Sequence, residues 1–210
     1  MAGASPSGDQ AKVSTTYSTS REHDAIVVDQ SGQTERSLSQ EDKSGSADLG
    51  DPAAGDRDAG ESGPVLFYEK DKPYYEFTNF APYPVEFQGK IYPTSEHLFQ
   101  ASKFLDADPQ LSETIRTAPS ARAAFDEASR SRRLQRADWF KVNISVMDKI
   151  LEAKFSQHSK LRDMLLGTGD REIIEASPID AFWGYGEDRQ GRNELGKALV
   201  RLREQLRQGV

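Results

Sequence analysis

Apolar positions are spread unevenly along the chain. Up to residue 62 they are scattered among Ser, Gly, Asp, Gln and Ala, and Ala25–Val28 is the one apolar island. Beyond residue 62 the spacing becomes periodic. Val65–Tyr68 reads as a short strand, and Tyr74–Phe80 (YYEFTNF) alternates aromatic with polar residues as a strand or an extended loop. Val85–Phe87 and Lys90–Tyr92 flank Gln88-Gly89, a two-residue hairpin signal with glycine in the turn. Pro93 closes that strand, and Thr94 is a good N-cap for a helix from Ser95 to about Leu105. Pro119 and Ser120 open a second helix reaching about Arg130. Asp138 caps a long helix whose stripe is Val142, Val146, Ile150 and Ala153, broadened by Met147 and Leu151. Ser159 starts a shorter helix through Leu166, and Gly167–Asp170 is a turn. Glu172–Ala176 reads as a strand and Ala181–Tyr185 as another extended piece. A last helix starts at Gly191 or Asn193 and aligns Leu195, Leu199, Leu202 and Leu206. Strands and helices do not alternate regularly, which excludes a doubly wound sheet. The pattern predicts a compact, helix-dominated α+β domain with a few short strands.

Charge divides the chain at the same point. Of 34 acidic and 27 basic residues, 12 and 5 lie in residues 1–62, leaving 22 of each beyond. The whole net charge of -7 therefore belongs to the first segment. All ten Phe and both Trp follow residue 62. A segment so poor in aromatics cannot bury enough apolar surface to offset its ordering entropy, so residues 1–62 are expected to be a disordered acidic tail and 63–210 the folded domain. A neutral domain has no general electrostatic footprint for nucleic acid, with one local exception. Arg130, Arg132, Arg133 and Arg136 could hold phosphates, or simply line a solvated helix end.

The absence of cysteine excludes disulfides, thiolate metal sites and a Cys nucleophile. Three histidines, His23, His97 and His158, make a multi-histidine metal site improbable, so neither metal nor cofactor is expected. No apolar run is long enough to span a membrane, and MAGASPSGDQ has no basic or apolar leader region. The expectation is an intracellular protein, cytoplasmic or nuclear, with no membrane partner. No Walker or dinucleotide glycine pattern occurs.

Three groups of residues could carry chemistry. Glu96, Gln100 and Lys103 fall at i, i+4 and i+7 of the first helix and share a face, either as a site or as a solvent-exposed stripe. Glu96 lies in the first turn, where the helix dipole favours a carboxylate. Trp139 and Lys154 bracket the long helix more than ~20 Å apart, so they cannot meet on one small group. Trp139 alone reads as core, and Lys154 as a solvent-facing residue or a site lysine. Asp180-Ala-Phe-Trp183-Gly184-Tyr-Gly186 offers rings for stacking and glycines for close backbone approach to a ligand. Asn193 could cap the last helix or present its amide to a ligand.

Taken together, FYEKDKPYYEFTNFAPYPVEF, YPTSEHLFQASKF, ADWFKVNISVMDKILEAKFSQ and LLGTGDREIIEASPIDAFWGYGEDRQGRNELGKALVRLR resemble the NADAR (NAD- and ADP-ribose-related) domain family, which includes the YbiA-like N-glycosidases. The resemblance runs from about Phe67 to Arg203. It implies hydrolysis of an N-glycosidic bond between ribose and a base. Two substrate types attach to the family: ribosylaminopyrimidine phosphates of riboflavin synthesis, and ADP-ribose joined to guanine in DNA or RNA. The sequence shows no deaminase or reductase segment, which inclines the reading to the second. The family pattern implies Glu96 and Lys103 as catalytic. It also implies substrate contacts from Asn79, Phe80, His97, Gln100, Trp139, Lys154, Asp180, Trp183, Gly184 and Asn193, with Gly196 beside them. Lysine attack on C1 would form a Schiff base that water releases, with Glu96 moving protons. The rival readings are a non-catalytic reader of ADP-ribose or a nucleotide, and a protein-interaction domain.

Overall fold

The computed structural model describes residues 63–209, together with two short strands within the preceding segment, β1 (Val27–Val28) and β2 (Thr34–Glu35), which pair antiparallel. The rest of the expected tail lies outside the described residues.

β3 (Val65–Phe67) turns Val65 and Phe67 inward and Leu66 out to solvent, as strand alternation requires. It pairs in parallel with β6 (Ile173–Glu175), Phe67 opposite Glu175. β4 (Val85–Phe87) and β5 (Lys90–Tyr92) form the expected hairpin, with Gln88 and Gly89 both at positive φ, 51° and 74°. YYEFTNF is neither strand nor loop alone. Tyr74 sits at φ 66° and Tyr75–Phe77 makes one 3-10 turn that buries Phe77.

The helix after the hairpin, α1 (Ser95–Ser102), is buried on every side. Thr94 caps it, its Oγ1 accepting from the His97 N–H. It is shorter than predicted: Lys103 is its C-cap, and the chain turns there to bury Phe104. α2 (Pro109–Arg116), α3 (Ala121–Arg130) and α4 (Trp139–Gln157) pack around it. α2 was not among the predicted elements, although its signals are present. Asp108 caps it through Leu111 N–H at 3.0 Å, and Pro109 occupies the first turn, where a missing N–H costs nothing.

Two expectations for α4 are corrected. Asp138 precedes the helix without capping it, because its carboxylate takes the Arg136 guanidinium at 2.6 and 3.1 Å. The buried stripe is also rotated. Trp139, Asn143, Met147, Ile150, Leu151, Lys154 and Phe155 face inward, while Val142, Val146 and Ala153 are only half-buried at its edge. α5 (Ser159–Gly167) and α6 (Glu194–Gln208) complete the fold, with α6 resting on α4 and β6. Ala181–Tyr185, predicted as extended, is a succession of turns.

Candidate active site

α1 carries the centre of the site. Glu96 and Gln100 are 5% and 2% exposed, which rules out a solvent-exposed stripe. Gln100 Nε2 donates to Glu96 Oε1 at 2.7 Å, and Glu96 lies in the first helical turn. Both the amide donor and the dipole stabilise a negative charge on this carboxylate. Lys103 continues the face at the helix end, half-buried. Its Nζ stands 5.6 Å from the ring centroids of both Phe99 and Trp139. Those ring faces attract an ammonium.

The aromatic residues form one continuous wall. Phe99 meets Trp139 edge-on at 5.1 Å and Trp183 at 5.3 Å, and Trp183 meets Phe182 at 5.0 Å. Trp139 is core, 3% exposed, but it is also half of the cradle around the Lys103 amine. The wall therefore joins residues 99, 139 and 183, which no local spacing connects.

The turn after β6 completes the site. Asp180 Oδ1 accepts from the N–H groups of Phe182 and Trp183, each at 2.8 Å, and so fixes where Trp183 stands. Ser177 Oγ accepts from Asp180 N–H at 3.1 Å and hydrogen-bonds Tyr68. Burial pushes the Tyr68 phenol up, against that hydrogen bond, and the carboxylates of Glu175, Asp180 and Glu69 add to the rise. Glu175 was not singled out in the sequence. Burial holds its carboxyl well above the usual carboxylate range, and the charges of Asp180 and Glu96 push the same way. A glutamate on a strand flanked by Pro178 and charged residues gives no local sign of burial. Its signal was the period-two alternation that puts it on the same side as Ile173.

Several residues of the family pattern have structural duties. Gly184 lies where a Cβ would meet Glu175 O at 2.7 Å, so the close approach is to the protein's own strand. Asn193, at φ 52°, does not cap α6. Its Oδ1 accepts from Glu175 N–H at 3.0 Å and its Nδ2 donates to Ile173 O at 2.8 Å, clasping β6 to the start of α6. Gly196 makes room for that clasp, since a Cβ there would strike Ile173 O and the Asn193 amide. His97 is buried, with Nδ1 2.8 Å from Thr94 Oγ1 and Nε2 3.2 Å from Ala118 O.

Lys154 is neither solvent-facing nor beside Lys103. It is fully buried and donates to the carbonyls of Glu76 at 2.6 Å and Thr78 at 2.8 Å. Burial pushes its amine down to about 7, opposed by the Glu76 charge. It secures the turn before Asn79, whose carbonyl accepts the Glu96 N–H at 3.0 Å. Asn79 Nδ2 contacts Met147 Sδ at 3.4 Å, and Phe80 is 40% exposed at the surface. The arginine-rich segment runs into the site, because Arg136 N–H donates to Lys103 O at 2.8 Å. Within it Arg130 pairs with Glu127, and Arg136 with Asp138 and Asp106, while Arg133 is exposed.

Among the described residues, no three His, Asp or Glu side chains are grouped to hold a metal ion, and no helix is long and apolar enough to cross a membrane. The site is a buried carboxylate and a half-buried amine on one helix, walled by rings and backed by two further carboxyl groups.

The family model of the NADAR domain matches residues 66–207. The N-glycosidase YbiA of Escherichia coli is 43% identical over 142 residues, covering 68% of this chain and 88% of that protein. A riboflavin biosynthesis protein of Vibrio vulnificus is 41% identical over 145 residues, covering 69% of this chain and 39% of its own length. The solved NMR structure of E. coli YbiA superposes with a TM-score of 0.63 at 42% identity, covering 69% of this chain and 84% of that one. The mixed helical fold with short strands is thus the fold of that relative.

Proposed function

The chain belongs to the NADAR domain family, and from that membership we propose that it is an N-glycosidase that hydrolyses a ribose–base bond, with ADP-ribose carried on guanine in nucleic acid as its substrate. The observation that carries this reading is the buried Glu96–Gln100 pair on the helix face that ends in Lys103, beneath the ring wall of Phe99, Trp139 and Trp183. A domain that only binds a nucleotide needs stacking rings and donors. It does not need a buried carboxylate and a half-buried amine on one helix face.

The chemistry follows from those groups. Breaking an N-glycoside develops positive charge at the anomeric carbon, and a fixed carboxylate such as Glu96 stabilises it. Glu96 and Lys103 are seven residues apart, about 10 Å along the axis at ~1.5 Å per residue, and both side chains can converge on one sugar carbon. Lys103 Nζ bonds C1 as the C1–N bond to the base breaks and the base leaves, opening of the sugar ring gives a Schiff base, and water adds to C1 and releases the sugar from the lysine. Glu96 passes protons between water and the amine. Trp183 supplies a face on which a base can stack. The exposed Arg133, on the segment hydrogen-bonded to the end of α1, suits the phosphates of ADP-ribose or of a nucleic-acid strand.

The alternative substrate, a ribosylaminopyrimidine phosphate, is favoured by the Vibrio relative's name. One experiment separates the readings. The full chain is offered ADP-ribosylated guanine in DNA or RNA and, separately, the ribosylaminopyrimidine phosphate, and release of base and sugar is followed with borohydride present. The expected result is release from the guanine adduct and a borohydride-trapped sugar on the Lys103 peptide. Turnover of the pyrimidine alone overturns the substrate assignment, and tight binding without turnover of either overturns the enzyme.

A further inference from the structure

We propose that Glu175 is the general acid of this site, the group that hands a proton to the departing base while Glu96 stays a carboxylate. The proposal rests on the N-glycosidase reading and deepens it by naming the proton's source.

The position of Glu175 is determined by backbone on every side. Its N–H is held by Asn193 Oδ1 at 3.0 Å, and its carbonyl accepts Tyr185 N–H at 3.0 Å. The next residue's N–H is held by Phe67 O at 3.0 Å. Strand alternation then sends the side chain to the same side as Ile173, which is fully buried. Its Oε2 is shielded from solvent and has no hydrogen-bond partner within the protein. Charge placed on that oxygen would have no donor within the protein, which favours the neutral carboxyl. The ionisable groups that act on it are Asp180 from the following turn and Glu96 from α1, both acidic, and its own charge acts on Tyr68 after β3. Each anion among them disfavours a further negative charge, in the same direction as burial.

A second, independent feature points to a ligand. The amide oxygens of Gln100 and Asn79 are also buried without a partner, on residues 2% and 7% exposed. Gln100 directs its amide N–H to Glu96, leaving that oxygen ready to accept from a sugar hydroxyl or a base N–H. The site thus offers acceptors at Gln100 and Asn79, a charge-stabilised carboxylate at Glu96, and one O–H donor at Glu175. A carboxyl group driven towards its neutral form, beside a second carboxyl that accepts an amide N–H, is an arrangement that acid–base chemistry uses.

The step balances. Glu175 O–H gives its proton to the base nitrogen, which keeps the electron pair of the breaking C1–N bond. The Lys103 amine gives its lone pair to C1. Water then bonds C1, the lysine nitrogen recovers its electron pair, and the proton lost by water passes through Glu96 back to Glu175. The net change is one water consumed, one base N–H and one sugar O–H formed.

The test compares wild type and Glu175→Gln on two leaving groups, guanine and a positively charged nicotinamide that departs without a proton. With guanine, kcat should fall by about 10²–10⁴-fold, the usual worth of a positioned acid. With nicotinamide the loss should be far smaller. The alkaline limb of the wild-type pH–rate profile should be absent from the variant. Equal losses on both leaving groups, or a wild-type rate on guanine, overturn the acid role. Wild-type turnover with borohydride trapping on Lys103 leaves the N-glycosidase reading standing in either case. Should Glu175→Gln fail to fold, carboxyl-carbon NMR of the wild-type protein decides. One glutamate must titrate above the ordinary range and disappear from that range's set in Glu175→Asp; ordinary titration of every glutamate overturns the proposal.

Discussion

Glu96, Lys103 and Lys154 show how the same residue types acquire different work from their surroundings. Lys103 stands half-buried between two ring faces, whereas Lys154 is sealed in the core and bonded to two carbonyls. Lys103→Ala should abolish turnover yet retain substrate binding, and Glu96→Gln should slow turnover severely, both with an unchanged circular dichroism spectrum. Lys154 should instead be read in stability. Its amine is pushed from an ordinary 10.5 down to about 7 by burial. Between those values the unfolded chain binds more protons than the folded one, so stability rises with pH across that window. Below it the full cost of a buried ammonium is present. Denaturant melts of wild type and Lys154→Met should diverge from pH 7 to pH 10, the wild type gaining up to ~1.4 kcal/mol per pH unit relative to the variant. Parallel curves would show that the amine is not buried as described. The lysines also mark a limit of sequence reading. Residue type and helical period identified the α1 face, but nothing local distinguished a core lysine from a surface one, because its partners lie 76 and 78 residues away.

The junction of β6 with α6 depends on one side chain. Asn193 bonds Ile173 O and Glu175 N–H at once, from a left-handed backbone that few residues tolerate. Asn193→Ala should cost about 1–3 kcal/mol by leaving the buried Ile173 carbonyl and the part-buried Glu175 N–H unpaired. It should also lower kcat, since the strand that carries Glu175 loses its clasp. Thermal melting and turnover measured on the same preparation check both. Gly196→Ala should act in the same direction, its Cβ striking Ile173 O and the Asn193 amide. On the facing side of the site, Trp183→Ala should weaken ligand binding by ~1–3 kcal/mol with the fold intact, measured by calorimetry with ADP-ribose. Global unfolding would mean that its contacts with Phe99 and Phe182 serve the core instead. At this scale the caps at Thr94, Asp108 and Ser120 and the Gln88-Gly89 turn were written locally. Ala181–Tyr185 was not, because its aromatics and glycines suit a strand until the Asp180 carboxylate folds them into turns.

Across the whole molecule the buried apolar core runs from Val65 to Leu202. Deleting residues 1–62 should therefore leave the melting temperature within a few degrees of the full chain and base release nearly unchanged. A larger drop would show that the acidic segment contributes to the fold. The wall of Phe99, Trp139 and Trp183 draws on three separate stretches of chain, so the site exists only when α1, α4 and the turn after β6 are packed together. Partial unfolding of any one of them should abolish ligand binding before the far-ultraviolet signal is lost.

Local chemistry in the chain was enough to determine the helix-rich α+β class, the hairpin, the limits of most helices and the Glu96–Gln100–Lys103 face. Each of these depends on caps, turns and periods a few residues long. Tertiary structure alone decided the rest. It rotated the inner stripe of α4 and buried Lys154 there. It turned Asn193 and Gly184 from ligand candidates into supports for β6, and it drew Glu175 beside Glu96 and Asp180. Burial and electrostatic neighbourhood are properties of three-dimensional proximity, and a strand glutamate meets a helix glutamate 79 positions away only after both elements have packed.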